Sequence, residues 1–184
     1  MERFWFFTWR TYGSWLPGED GFVSCYRDSN GRRRIDNAPG ELPTGPIPNL
    51  ERYAREAMKG VAVLLDAGQA HALLAQFHQT AAYRGWGIDA VAVMVNHVHI
   101  VFGVRGDPNP SAMLRDWKSY GSRTLNRVGP RREAGRWWAD QGSKRAIKTD
   151  ERRLAAIQYV HNQENPLLVW LSPEARRLLG EPAA

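Results

Sequence analysis

At 184 residues the chain is long enough to bury a core and short enough to form one domain. A hydrophobic content of 43% with eight Trp excludes a disordered chain, and one Cys, Cys25, excludes a disulfide scaffold and a cysteine metal site. Twenty-five Lys and Arg against nineteen Asp and Glu leave a net charge of +6, a balance that favours a polyanionic partner. No apolar run approaches the length of a membrane span, and Phe4-Trp5-Phe6-Phe7 is too short and too early for a signal peptide. The expectation is a cytoplasmic protein with no membrane partner.

Residues 3 to 10 form an aromatic-rich first strand. From Pro17 to about Leu50 the chain is rich in Pro and Gly, with Asn30-Gly31 and the basic triplet Arg32-Arg33-Arg34, and reads as a long loop or mobile arm inserted in a single domain spanning 1–184. Residues 51 to 59 are compatible with helix and 61 to 65 with an extended segment. Asp66 followed by Gln69 is a capping-box pattern that opens a helix to about Arg84, with a buried stripe of Ala70, Leu73, Leu74, Phe77 and Ala81 and a stop at Gly85. His71 and His78 fall off that stripe and read as exposed structural residues.

Trp86 to Met94 and His97 to Val104 read as an antiparallel strand pair with a tight connection. After Asp107-Pro108-Asn109-Pro110 a helix runs from Ser111 to about Asn126. Its apolar side is Met113, Leu114, Trp117, Gly121, Thr124 and Leu125, and its wet side carries Arg115, Lys118, Ser119, Ser122 and Asn126. Trp137-Trp138 and Lys144 to Lys148 suggest an edge strand, and Asp150 can cap a last helix from Glu151 to about Asn162. The order strand, helix, strand, strand, helix, strand, helix predicts an α+β, ferredoxin-like fold: an antiparallel sheet of about four strands with helices on one side. Basic residues crowd this half of the chain, among them Arg123, Arg127, Arg131, Arg132, Arg136 and Lys144, which suits either a solvated surface or a nucleic-acid partner.

The chemistry-bearing feature is Asn96-His97-Val98-His99, set between Val91 to Val95 and Ile100-Val101-Phe102. One His in such a run reads as a hydrogen-bonded core residue. Two at i and i+2 project to the same face of a strand, so both imidazoles can reach one metal ion, and burying two without a common partner costs desolvation twice. On the last helix Tyr159 and Gln163 are four residues apart and share a face, together with Arg152 and Ala156. Alone, that pair is compatible with a packed Tyr and a surface Gln. Beside two imidazoles, the Gln163 amide oxygen is a hard ligand suited to Mg²⁺ or Mn²⁺ bound together with a phosphate. Tyr12, Tyr26, Tyr53 and Tyr83 have no ligand candidate at helical spacing, Tyr120 falls on a packing edge, and His161 points away from the Tyr159 face. There is no phosphate loop, no GxGxxG after a strand, no HExxH and no GxSxG, so phosphate chemistry here proceeds without nucleotide hydrolysis.

Taken together, Thr11-Tyr12-Gly13-Ser14-Trp15-Leu16, Tyr83-Arg84-Gly85-Trp86, Val93 to His99 and Tyr159-Val160-His161-Asn162-Gln163 resemble the one-tyrosine HUH transposases of single-strand insertion sequences and the REP-associated tyrosine transposases. The resemblance spans most of the chain. It implies the HUH endonuclease fold, His97, His99 and Gln163 as ligands of Mg²⁺ or Mn²⁺, and Tyr159 as the nucleophile that forms a 5′-phosphotyrosine on single-stranded DNA. It further implies hairpin or palindromic DNA ends, a nucleoid-associated location, and DNA contacts from Arg115, Lys118, Ser122, Arg145 and Lys148. Homodimers occur in one branch and monomers in the other, so the resemblance leaves the assembly open. Trp137 or Trp138 offers a stacking surface for bases if exposed and core if not. Two other readings compete: a catalytically silent binder of structured single strands with the same fold, and an unrelated His-x-His metal hydrolase, which would enlist further His or Asp nearby. Asp107, the next acidic residue, falls beyond the strand end.

Overall fold

The computed structural model describes residues 2–20, 22, 24–27, 30–36, 45–130 and 132–181, and for 24–27 and 33–36 the backbone alone. Arg131 and the Cys25 side chain therefore lie outside the described residues. In chain order the elements are β1 (Glu2–Arg10), β2 (Ser24–Arg27), β3 (Arg33–Asp36), α1 (Pro48–Glu56), α2 (Ala67–Arg84), β4 (Gly87–Val93), β5 (His97–Arg105), α3 (Pro110–Val128), β6 (Ser143–Ile147), α4 (Asp150–His161), β7 (Leu168–Leu171) and α5 (Pro173–Leu178). The main sheet has five strands in the order β6-β1-β5-β4-β7, with every neighbouring pair antiparallel. The first four of these make the ferredoxin-like arrangement, and β7 extends it at the β4 edge.

Alternation in β1 sets the two faces. Trp5, Phe7 and Trp9 are buried on one side with Val98, Ile100 and Phe102 of β5, under α2 and α3 through Leu73, Phe77, Met113, Trp117 and Leu125. Phe6 lies on the other side with Ala90, Ala92 and Val101, under Ile157 and Val160 of α4 and Ala175 of α5. Helices therefore cover both faces, which corrects the expectation of a sheet covered on one side. A central strand covered on both faces needs apolar residues at nearly every position, and β5 is buried from Val98 to Val104. That is why the histidines sit in an unbroken apolar run.

The helix signals of α2 are met in full: Asp66 accepts from Gln69 N at 2.8 Å, the Gln69 side chain accepts from Asp66 N at 3.2 Å, and Gly85 ends the helix in the left-handed region at φ 66°. In α4 the cap is Thr149, whose hydroxyl accepts from Arg152 N, and Asp150 is the first helical residue rather than the cap. Within the 17–50 segment, expected as loop, β2 and β3 pair as a small antiparallel sheet of their own and α1 begins at Pro48. The 61–65 segment joins no sheet, although Val63 N donates to Tyr12 O and Leu65 N to Val95 O. His78 is not free on the surface: its ring stands edge-on to Trp170, 4.4 Å between centroids. Trp137 and Trp138 are buried core residues, with indole N–H groups donating to Asn126 Oδ1 and Lys118 O, so neither is a stacking surface. No helix among the described residues is long and apolar enough to cross a membrane.

Candidate active site

Strand register builds the site. Across the β1–β5 ladder Thr8 stands opposite His99 and Arg10 opposite His97, and all four side chains belong to the α4 side of the sheet. The two imidazoles converge, with His97 Nε2 2.9 Å from His99 Nε2. Each ring's other nitrogen is held: His97 Nδ1 by Asn96 Oδ1 at 2.6 Å and His99 Nδ1 by Thr8 Oγ1 at 2.8 Å. An uninterrupted neutral chain satisfies every atom, the Thr8 hydroxyl donating to His99, His99 Nε2–H to His97 Nε2, and His97 Nδ1–H to the Asn96 amide oxygen. Because a hydroxyl both donates and accepts, Thr8 can turn to accept from His99 Nδ1–H, which leaves both Nε2 lone pairs facing one point.

Burial, helped by the Arg10 charge, holds His97 down at about 4. Burial first, then His97 and Arg10, holds His99 down at about 3 against the opposing effect of the Gln163 amide, which acts as an acceptor towards the imidazole. Both rings are neutral at physiological pH, the protonation state a ligand needs. Adjacent ligands on an octahedral Mg²⁺, each roughly 2.0–2.1 Å from the metal, stand about 2.9 Å apart, so the Nε2 spacing fits a small divalent cation. Among the described residues no group of three or more His, Cys, Asp or Glu could hold a metal, so further ligands would come from the Gln163 amide, water or a bound phosphate.

The α4 helix brings Tyr159 to this point. Its ring stands edge-on to His99 at 5.3 Å and to Phe6 at 5.7 Å, while Phe6 stacks against His99 at 5.7 Å, and half the Tyr159 side chain remains exposed. Gln163 lies just beyond the helix end, where Asn162 is the C-cap, and its Nε2 donates to Tyr159 O at 2.8 Å. That bond uses the amide nitrogen and leaves the amide oxygen as the group that acts on His99. The helix is pinned to the sheet one turn from its start by Arg153, which grips buried Asp89 of β4 with two bonds of 2.8 and 2.7 Å and lies over the Phe4 ring at 3.8 Å.

The structure thus brings His97, His99, Tyr159 and Gln163 together, and it divides the basic residues. Arg145 of β6 pairs with Phe6 and is exposed on the same side as the histidines. Arg115, Lys118 and Ser122 lie on α3, across the sheet from them. Lys118 is not a free cation on a wet face: its ammonium donates to the carbonyls of Ala139 and Asp140, and burial lowers it to about 8. Lys148 is exposed beyond the end of β6. His161 Nε2 lies 3.2 Å from Glu181 Oε1. Sequence reasoning missed Thr8, Arg10, Asn96, Asp89 and Arg153. For Thr8 and Arg10 the signal was present, since both alternate with Trp5, Phe7 and Trp9 along one strand.

Solved structures similar to the chain include two of transposases. One is a REP-associated tyrosine transposase bound to a REP hairpin (14% identity, TM-score 0.49), which matches over 86% of this chain and 64% of its own length. The other is a candidate transposase from Deinococcus radiodurans R1 (15% identity, TM-score 0.46), over 90% of this chain and 93% of its own. No match was found among curated proteins. Residues 61–163, the stretch that holds the histidine pair and the Tyr159 helix, match the family described as IS200-like transposases. The match covers more than half of the chain, which belongs to the IS200-like transposase family.

Proposed function

We propose that this chain cuts and rejoins single-stranded DNA through a 5′-phosphotyrosine on Tyr159, with His97, His99 and Gln163 holding Mg²⁺ or Mn²⁺ at the scissile phosphate. The observation that carries the reading is the convergence of the two neutral Nε2 atoms at 2.9 Å, with the Tyr159 ring against His99 on the same side of the sheet. A metal bound there would neutralise charge on the phosphate and on the departing 3′-oxygen. The phenol oxygen of Tyr159 gives up its proton to solvent and attacks phosphorus. The P–O3′ bond breaks, leaving a free 3′-hydroxyl on one strand end and the 5′-phosphate on the tyrosine. One ester replaces another, so the 3′-hydroxyl of a second strand end can reverse the step without a nucleotide cofactor.

Asn96 and Thr8 keep the rings turned so that Nε2, not Nδ1, faces the phosphate. The contact between Tyr159 and His99 within one chain supports a site complete in a monomer, so a homodimer is not needed to assemble it. The substrate we propose is a single strand flanked by a hairpin or palindrome. Incubating the protein with labelled DNA of that kind and Mg²⁺ or Mn²⁺ is expected to give a covalent adduct that Tyr159→Phe abolishes. An adduct formed equally well by Tyr159→Phe overturns the assignment, and tight binding without cleavage under any divalent metal favours a silent binder.

A further inference from the structure

Arg10 ends β1 on the side of the sheet that carries the site, opposite His97 in the ladder and two residues from Thr8, which holds His99. Its guanidinium carbon lies 3.9 Å from the centre of the Trp15 ring, and Trp15 is in turn packed against Phe22 at 5.0 Å. The side chain is partly buried, and among the described residues no carboxylate lies within ion-pairing distance of it. Glu19, the carboxylate that attracts Arg10 electrostatically, is paired with Arg55 at 3.4 Å. Arg10 also sits within electrostatic reach of His97, His99 and Tyr159.

A guanidinium drawn partly out of water beside two neutral imidazoles and a phenol, with Glu19 attracting it from a distance while paired to Arg55, has no anion in direct contact to replace the lost solvation. Holding it over an indole leaves its N–H fork available to a tetrahedral oxyanion. We infer that Arg10, braced by Trp15, binds a non-bridging oxygen of the scissile phosphodiester beside the histidine pair and so stabilises the charge that builds as Tyr159 attacks. This rests on the reading of Tyr159 as nucleophile. The residue acts by direct contact with the substrate: no proton or bond is transferred to it.

The test compares two linkages. The cut position is mapped from the adduct of the unchanged protein, and the same strand is made with a neutral methylphosphonate at that position. Binding is measured for Tyr159→Phe and for Tyr159→Phe combined with Arg10→Ala. The first is expected to lose ten-fold or more in affinity on the neutral linkage, and the second less than three-fold, because its anion partner is already gone. Equal losses in the two proteins, or no loss in either, overturn the inference. If Arg10→Ala does not fold, Arg10→Lys takes its place, expected to lose an intermediate factor because it keeps charge without the fork; a loss equal to that of Tyr159→Phe again overturns it. In the otherwise unchanged protein Arg10→Ala is expected to slow adduct formation at saturating DNA by about 10²–10³-fold, as for loss of one donor to a developing oxyanion. An adduct formed at the unchanged rate contradicts it. An adduct that survives Tyr159→Phe sinks the parent reading instead, so the two failures are distinguishable.

Discussion

At the scale of single residues, the site depends on what holds the imidazoles rather than on the imidazoles alone. Thr8→Val and Asn96→Ala each free one ring to rotate, and each is expected to weaken divalent-metal affinity by about 10–100-fold while leaving the fold in place, measured by titration calorimetry with Mn²⁺. His97→Ala or His99→Ala is expected to abolish the adduct and to reduce DNA binding far less. The low proton affinity of the pair has a consequence for stability. In the unfolded chain both rings protonate near 6.5, whereas in the fold they do so at about 4 and about 3. As pH falls below 6.5 the unfolded state therefore takes up protons first, and stability present above 6.5 is lost progressively toward 3. In chelator-containing buffer the midpoint of thermal unfolding should fall between pH 7 and pH 4.5, and less steeply for a His97→Gln, His99→Gln double variant; parallel slopes would refute it. Spacing made legible that His97 and His99 share a strand face and that Tyr159 and Gln163 lie a helical turn apart, whereas joining the two pairs into one site came from the family resemblance. For Thr8 and Arg10 alternation along β1 showed the face they share, but which histidine each one meets depends on how β1 pairs with β5, which no local pattern states.

At the scale of elements, strong local signals were read correctly and weak ones were not. The α2 helix carries a capping box, an apolar stripe and a stop glycine, and each appears in the structure. Four-residue strands such as β2, β3 and β7 and the six-residue α5 are too short to leave a periodic signature. The side of the sheet taken by α4 was misread because only Ile157 and Val160 of its twelve residues are fully buried. What places α4 is instead polar: the Arg153–Asp89 fork, with Glu174 3.3 Å from Arg153. Removing one member leaves a charge uncompensated at 8–12% side-chain exposure, so Asp89→Ala is expected to cost about 3–5 kcal/mol in denaturant unfolding and to slow adduct formation by misplacing Tyr159. Thr149→Ala, which removes only the cap, is expected to cost about 1 kcal/mol.

At the scale of the molecule, the two-sided sheet separates a large aromatic core from the chemistry. The core beneath α2 and α3 holds Trp5, Phe7, Trp9 and Trp117, while the opposite side carries the histidines, Tyr159 and Arg145. A net charge of +6 attracts a polyanion without choosing a side, and the positions of individual cations make the choice. A strand lying over the site meets Arg145, so Arg145→Ala is expected to lower the slope of log affinity against log salt by about 0.7, the value for one phosphate contact on a single strand. Lys118→Met is expected to leave that slope unchanged and to destabilise the fold, since its ammonium already serves the carbonyls of Ala139 and Asp140. The most direct measurement of the central claim is mass spectrometry of the digested DNA adduct formed with Mg²⁺ or Mn²⁺. The expected result is a nucleotide joined through its 5′-phosphate to the peptide containing Tyr159, and a released strand ending in a 3′-hydroxyl. Attachment at any other residue, or cleavage that leaves free 5′-phosphate and unmodified protein throughout, would contradict it.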